Sequence, residues 1–242
     1  MPELPIRAEE DHAASYKGLR RVVGILGFLL PVSLIVAAII RRDTEPSISA
    51  YYYTGMGDVL VGTLAAIAAF LGSYRGYVAT HAEWISDHNL ARIAAFGAIG
   101  VALLPANGFI DRDTAAAAVE STSGIVPKLH LLSAAVFLGS LGCFALFKFT
   151  RSATPKSEWP AAKHRNNRIY IASGRTIFAC LFIIALMMGL RELGIFDPDT
   201  LISDWLFWLE VIAVWAFALS WLVKGETIEA TMRVLSRATD QP

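Results

Sequence analysis

With 242 residues, 55% of them apolar and 17% charged, and with 21 Lys and Arg matched by 21 Asp and Glu, the chain has no basic surplus with which to hold a nucleic acid. The apolar residues are not periodic. They fill every helical face of long blocks, as in Gly24, Ile25, Leu26, Gly27, Phe28, Leu29 and Leu30, which excludes an ordinary soluble domain and leaves an all-α, polytopic membrane protein.

Six such runs follow one another, at 22–40, 59–77, 90–106, 129–149, 169–190 and 205–223. Each is roughly 20 residues, enough to cross roughly 30 Å of hydrocarbon as a helix. The expected organisation is an N-terminal segment 1–21, a six-helix membrane domain 22–223 and a tail 224–242. The first run follows a polar segment and ends in Arg41 and Arg42 without a small-residue cleavage site, so it reads as an uncleaved anchor. Pro31 should bend it. In the second run Gly72 and Gly76 have GxxxG spacing, and in the third Ala94, Gly97, Ala98 and Gly100 crowd together, both signs of close helix packing. Pro127 precedes the fourth run. Cys143 and Cys180, the two cysteines, lie inside runs four and five and read as small packing residues. Between runs three and four, Ala115 to Ala118 suit a short surface helix. In the tail, Ile228, Met232 and Leu235 with Arg233 and Arg237 suit an amphipathic helix on the membrane surface. A search for a repeat finds one weak echo, Phe70-Leu71-Gly72-Ser73 against Phe137-Leu138-Gly139-Ser140.

Orientation follows from the basic residues. Arg20, Arg21, Lys148, Arg151, Arg165, Arg168 and Lys224 fall in the termini and the even-numbered loops, whereas the other loops hold only Arg41, Arg42, Arg112, Lys128 and Arg191. The positive-inside rule therefore puts both termini in the cytoplasm.

Charged groups at membrane depth are the candidates for function, because each costs roughly 2.5 to 3.5 kcal/mol unless it finds a partner or water. Glu210 is the clearest. It stands about 9 Å below the outer start of the sixth run, so it should face the bundle interior. Asp58, Asn107, His130 and Arg191 lie at the same level on other helices, and together these residues suggest an outward-facing pocket. The loop ahead of Asp58 is the most distinctive string, with Ser47, Ser49, Tyr51, Tyr52, Tyr53, Gly55 and Gly57. It reads either as an aromatic belt at headgroup height or as a re-entrant loop whose hydroxyls line a lipid site. On the cytoplasmic face Arg75, Arg165, Arg168 and Arg175 would attract anionic headgroups.

The donors do not make a metal site. A single histidine with Asp58 and Glu210 is an incomplete set, and HExxH and HxxxH are absent, so no metal and no cofactor are expected. Ser47, Ser49 and Ser133 stand near the outer face, without a GxSxG motif to support a serine hydrolase.

Pro46-Ser47-Ile48-Ser49, then Tyr51-Tyr52 and Asp58, give the chain a recognisable pattern. So do Asn89-Leu90, Pro105-Ala106-Asn107, Leu129-His130, the stretch Arg165-Asn166-Asn167-Arg168-Ile169-Tyr170, and Leu209-Glu210 with Trp215 and Trp221. In these residues it resembles a group of uncharacterised bacterial six-helix membrane proteins, distantly similar to the DRAM/Sfk class. The resemblance implies a six-helix fold in a bacterial cytoplasmic membrane and names no activity. The chain has Ala50 and Tyr51 where the eukaryotic pattern favours an Asp and small residues. The leading expectation is a protein that binds or senses a lipid or small amphiphile. Its alternatives are a lipid hydrolase or transferase using Glu210, His130 and Asp58, and a proton-coupled transporter with Glu210 as the protonation site. Membrane lipids are the expected partners, and a homo-oligomer is compatible with the small-residue faces.

Overall fold

The computed structural model describes residues 4–76, 84–106, 124–152 and 155–226, with side chains from Lys17 onward. The surface helix expected around Ala115 and the amphipathic tail helix lie outside the described residues, as does Asn107.

The described chain is all-α, with six main helices: α1 (Leu4–Arg41), α2 (Gly57–Ser73), α3 (Asp87–Leu103), α4 (Ile125–Cys143), α5 (Ala161–Glu192) and α6 (Trp205–Lys224). Four are long and apolar enough to cross a membrane: α1 over Lys17–Arg41, α4 with its continuation to Lys148, α5 and α6. The other two, α2 and α3, have 17 residues each, about 25 Å of helix.

The ends of the apolar runs agree with the helices to within a few residues, and the two larger departures have a common form. The segment before the first run is helical from Leu4, making α1 a single helix of 38 residues that continues through Pro31. Likewise α5 starts at Ala161, eight residues before the apolar run. In both cases polar residues with good helix propensity extend a helix that the apolar pattern marks only in part. The end of α4 also differs, because the chain passes into a π-helical stretch at Phe144–Lys148, a widened turn that re-aims Lys148 inward.

Chain neighbours pack side by side, α1 on α2, α2 on α3, α3 on α4, α4 on α5 and α5 on α6, and α6 closes against α1. The bundle is thus a closed ring, with Leu34, Leu64, Ile67, Phe137, Leu141, Phe217 and Trp221 inside it. Phe96, Leu103, Leu132 and Phe182 stand exposed on its outside, as expected of a surface solvated by acyl chains.

Glycine sets the closest approaches, though not where the GxxxG spacing suggests. A Cβ on Gly97 would stand 2.7 Å from the Phe137 nitrogen and 2.9 Å from the Ser133 carbonyl oxygen, so α3 and α4 meet backbone to backbone. A Cβ on Gly72 would have nothing nearer than Ala95 at 4.0 Å. Gly76 lies beyond the end of α2, at φ +68° against Asp87. It belongs to a turn that a larger residue would strain.

Candidate functional site

The middle of the loop between α1 and α2 folds inward while its ends stay exposed. Ser47, Ile48, Ser49, Ala50 and Tyr51 are all buried, and Ser49–Tyr53 form a short 3-10 helix. Its start is built locally: the Ser47 hydroxyl accepts from the Ala50 N–H at 3.0 Å. Its end is fixed by Gly57, where a Cβ would collide with the Tyr52 carbonyl oxygen. Of the tyrosines, Tyr51 is fully buried, its ring 5.8 Å from that of Phe207, and its hydroxyl has no hydrogen-bond partner among the described residues. Burial pushes the Tyr51 phenol up from its ordinary value. Tyr52 and Tyr53 are half-buried and pack edge to face.

Three backbone and side-chain links tie this inserted loop to the bundle. The Phe207 N–H, near the start of α6, donates to the Pro46 carbonyl at 3.0 Å. One turn deeper, Glu210 accepts from the Ile48 N–H at 2.6 Å and also faces the Ser49 N–H. From the opposite side, His130 on α4 reaches the Ser49 hydroxyl with Nε2 at 2.9 Å, while its Nδ1 lies 2.5 Å from the Leu104 carbonyl oxygen at the end of α3.

These contacts explain how a carboxylate is held at depth. The first N–H groups of a helical turn have no partner within it and carry partial positive charge, and Glu210 is set against two of them. They also fix the histidine. A carbonyl oxygen only accepts, so Nδ1 must carry the proton; in the neutral ring Nε2 is then the acceptor and Ser49 the donor.

Below the loop is a cavity of about 50 Å³. A site of that size has room for about three or four waters. Ser49 and Glu210 form its polar end, and Leu30, Leu64, Ala134, Phe137, Val214 and Phe217 are among its apolar walls. From Glu210 to Phe217 it extends roughly 10 Å along α6.

The structure thus brings together Glu210, His130, Ser47, Ser49 and Tyr51, whereas Tyr52 packs on Tyr53 and does not line the cavity. It does not bring in Asp58 or Arg191. Asp58 is exposed in the first turn of α2, where a carboxylate is favoured by the helix dipole. Arg191 is exposed and pairs with Asp197 at 3.2 Å and with Asp199, closing the α5–α6 turn instead of countering Glu210. Among the described residues, no group of three or more His, Cys, Asp or Glu is arranged to hold a metal ion.

At the other end of the bundle the expected basic residues are not the buried ones. Arg75, Arg165, Arg168 and Arg175 are exposed, whereas Arg20, Lys148 and Asp87 are buried. The Lys148 ammonium lies 3.4 Å from Asp87 and donates to the Ile85 carbonyl at 2.5 Å, and Arg151 approaches Asp87 to 3.9 Å. Arg20 donates to the Tyr74 hydroxyl at 2.7 and 3.1 Å. Lys224 lies over the rings of Phe149 and Tyr170. In the sequence these residues read as charges bounding apolar runs. The available signal was Lys148 enclosed by Phe144, Phe147 and Phe149, a placement that buries a lysine unless the helix turns it outward.

Compared with known proteins, the chain matches no family model, no curated protein and no solved structure.

Proposed function

We propose that this is a multi-pass membrane protein with six spanning helices, both termini in the cytoplasm and the α1–α2 loop on the outer side, that binds a small amphiphile in the cavity beneath that loop. In this reading the host is a bacterial cytoplasmic membrane, and α2 and α3 cross it as part of the ring although each is short. The kinship with the bacterial six-helix group belongs to the same proposal.

The observation that carries the reading is the make-up of the cavity: apolar walls from five helices and one polar end formed by Ser49 and Glu210. An apolar wall with a few convergent polar groups is the usual form of a small-molecule site. A cavity of that volume takes only a few heavy atoms, so it would hold the hydrogen-bonding head at Ser49 and Glu210 and a short apolar stub between Leu64, Phe137 and Phe217.

Mass spectrometry of lipids retained by the purified protein tests it. The wild-type protein should carry a defined amphiphile, and Ala134→Phe and Val214→Trp, which fill the cavity, should release it while the melting temperature in detergent stays within a few degrees. An identical lipid complement in all three proteins would refute the reading.

A further inference from the structure

The contact between Ser49 and His130 has a geometry that binding alone does not require. A serine hydroxyl is 2.9 Å from an imidazole Nε2, the other ring nitrogen is 2.5 Å from a main-chain carbonyl, and the serine lines an apolar cavity. These are the three parts of an activated nucleophile: hydroxyl, general base within hydrogen-bond reach, and a group that orients the base. The Leu104 carbonyl takes the orienting role that a carboxylate has in a triad. It directs the proton to Nδ1 and leaves the Nε2 lone pair aimed at Ser49. Ser49 also opens a helical turn, where its own N–H faces an acidic oxygen of Glu210.

We infer that Ser49 and His130 form a nucleophile–base pair that cleaves or transfers the acyl group of an ester-bearing amphiphile held in the cavity. The inference rests on the amphiphile-binding reading above. With a short acyl group, no larger than the cavity admits, between Phe137 and Phe217, the ester carbonyl stands at Ser49. The Ser49 Oγ forms a bond to the carbonyl carbon as its proton moves to His130 Nε2. The bond from that carbon to the alcohol oxygen then breaks, and Nε2 returns the proton to the departing alcohol. Water, or the hydroxyl of an acceptor, next attacks the acyl-serine, gives its proton to Nε2, and Ser49 leaves as the alkoxide and regains a proton. The net change is ester plus water to acid plus alcohol, or exchange of one alcohol for another.

An alkyl fluorophosphonate applied to the full-length protein in lipid nanodiscs tests this, because its phosphorus accepts the Ser49 oxygen with loss of fluoride. The adduct should map to Ser49 by fragment mass spectrometry, and His130→Gln should slow its formation about 10²- to 10⁴-fold while melting like the wild-type protein. If His130→Gln fails to fold, the wild-type labelling rate against pH decides: dependence on one ionisation supports the pair, and a flat profile overturns it. Equal labelling of wild-type and His130→Gln also overturns it. Retention of an amphiphile without any adduct at Ser49 ends the catalytic inference and leaves the binding site standing. Absence of both the amphiphile and the adduct ends both.

Discussion

The two ends of the bundle bury an acidic side chain by different means. At the α1–α2 loop one carboxylate, Glu210, is met by peptide N–H groups and set near a neutral serine–histidine pair. At the opposite end Asp87 is met by Lys148 and Arg151, and the rings of Tyr74, Phe144, Phe149 and Trp221 pack edge to face beside them. Ion pairing with tight aromatic packing suits a permanent clasp, since removing either partner strands a buried charge. A carboxylate held by main-chain dipoles next to a cavity suits a site that exchanges hydrogen-bond partners, because an incoming polar group can take its place.

The largest expected loss is therefore at the clasp. Asp87→Ala leaves the Lys148 ammonium buried beside a vacancy and should cost about 3–5 kcal/mol, seen as a sharply lower melting temperature in detergent or as loss of folded protein. A variant that melts normally would show that the pair does not hold that end of the bundle together. Glu210→Leu comes next, at about 1–3 kcal/mol for the N–H group left unpaired at Ile48. Glu210→Gln, which keeps an acceptor, should lose less. If the two Glu210 variants are equally unstable, the lost interaction is ionic and the contrast between the ends disappears.

Of similar size is Gly97→Leu, which forces α3 away from α4 and so from the Leu104 contact of His130. About 1–3 kcal/mol is expected from overpacking, together with faster hydrogen exchange in the 46–53 loop. Exchange unchanged in that loop would mean that its anchorage does not depend on the α3–α4 approach. The smallest effect is at Arg191. Its ion pairs with Asp197 and Asp199 are exposed, so Arg191→Ala should change stability by less than about 1 kcal/mol and leave amphiphile retention unaltered. Loss of the amphiphile in that variant would return Arg191 to the site.

How far the site was readable depends on the residue. Glu210 stands out because a carboxylate inside an apolar run is costly wherever the chain goes, and the Ser47–Tyr53 loop stands out because proline, serine and glycine interrupt two helices. Asp58 and Arg191 read from the sequence at the same level as Glu210 along the helices, but level does not specify azimuth. Asp58 is turned outward at a helix start, and Arg191 is taken by acids only six and eight residues away. Arg20, Lys148 and Lys224 counted only toward orientation for the converse reason: at the edges of apolar runs they resemble boundary charges.

Composition and block hydropathy suffice for the helical class, the approximate ends of the apolar helices and the presence of one anomalous acid, because these depend on local length and transfer energy. The closed ring, the inward fold of the loop and the pairing of Ser49 with His130 do not follow from any local pattern. They depend on which faces of α3, α4 and α6 turn toward one another, and that is decided by backbone approaches such as Gly97 on Phe137 and by hydrogen bonds between residues 81 and 162 positions apart.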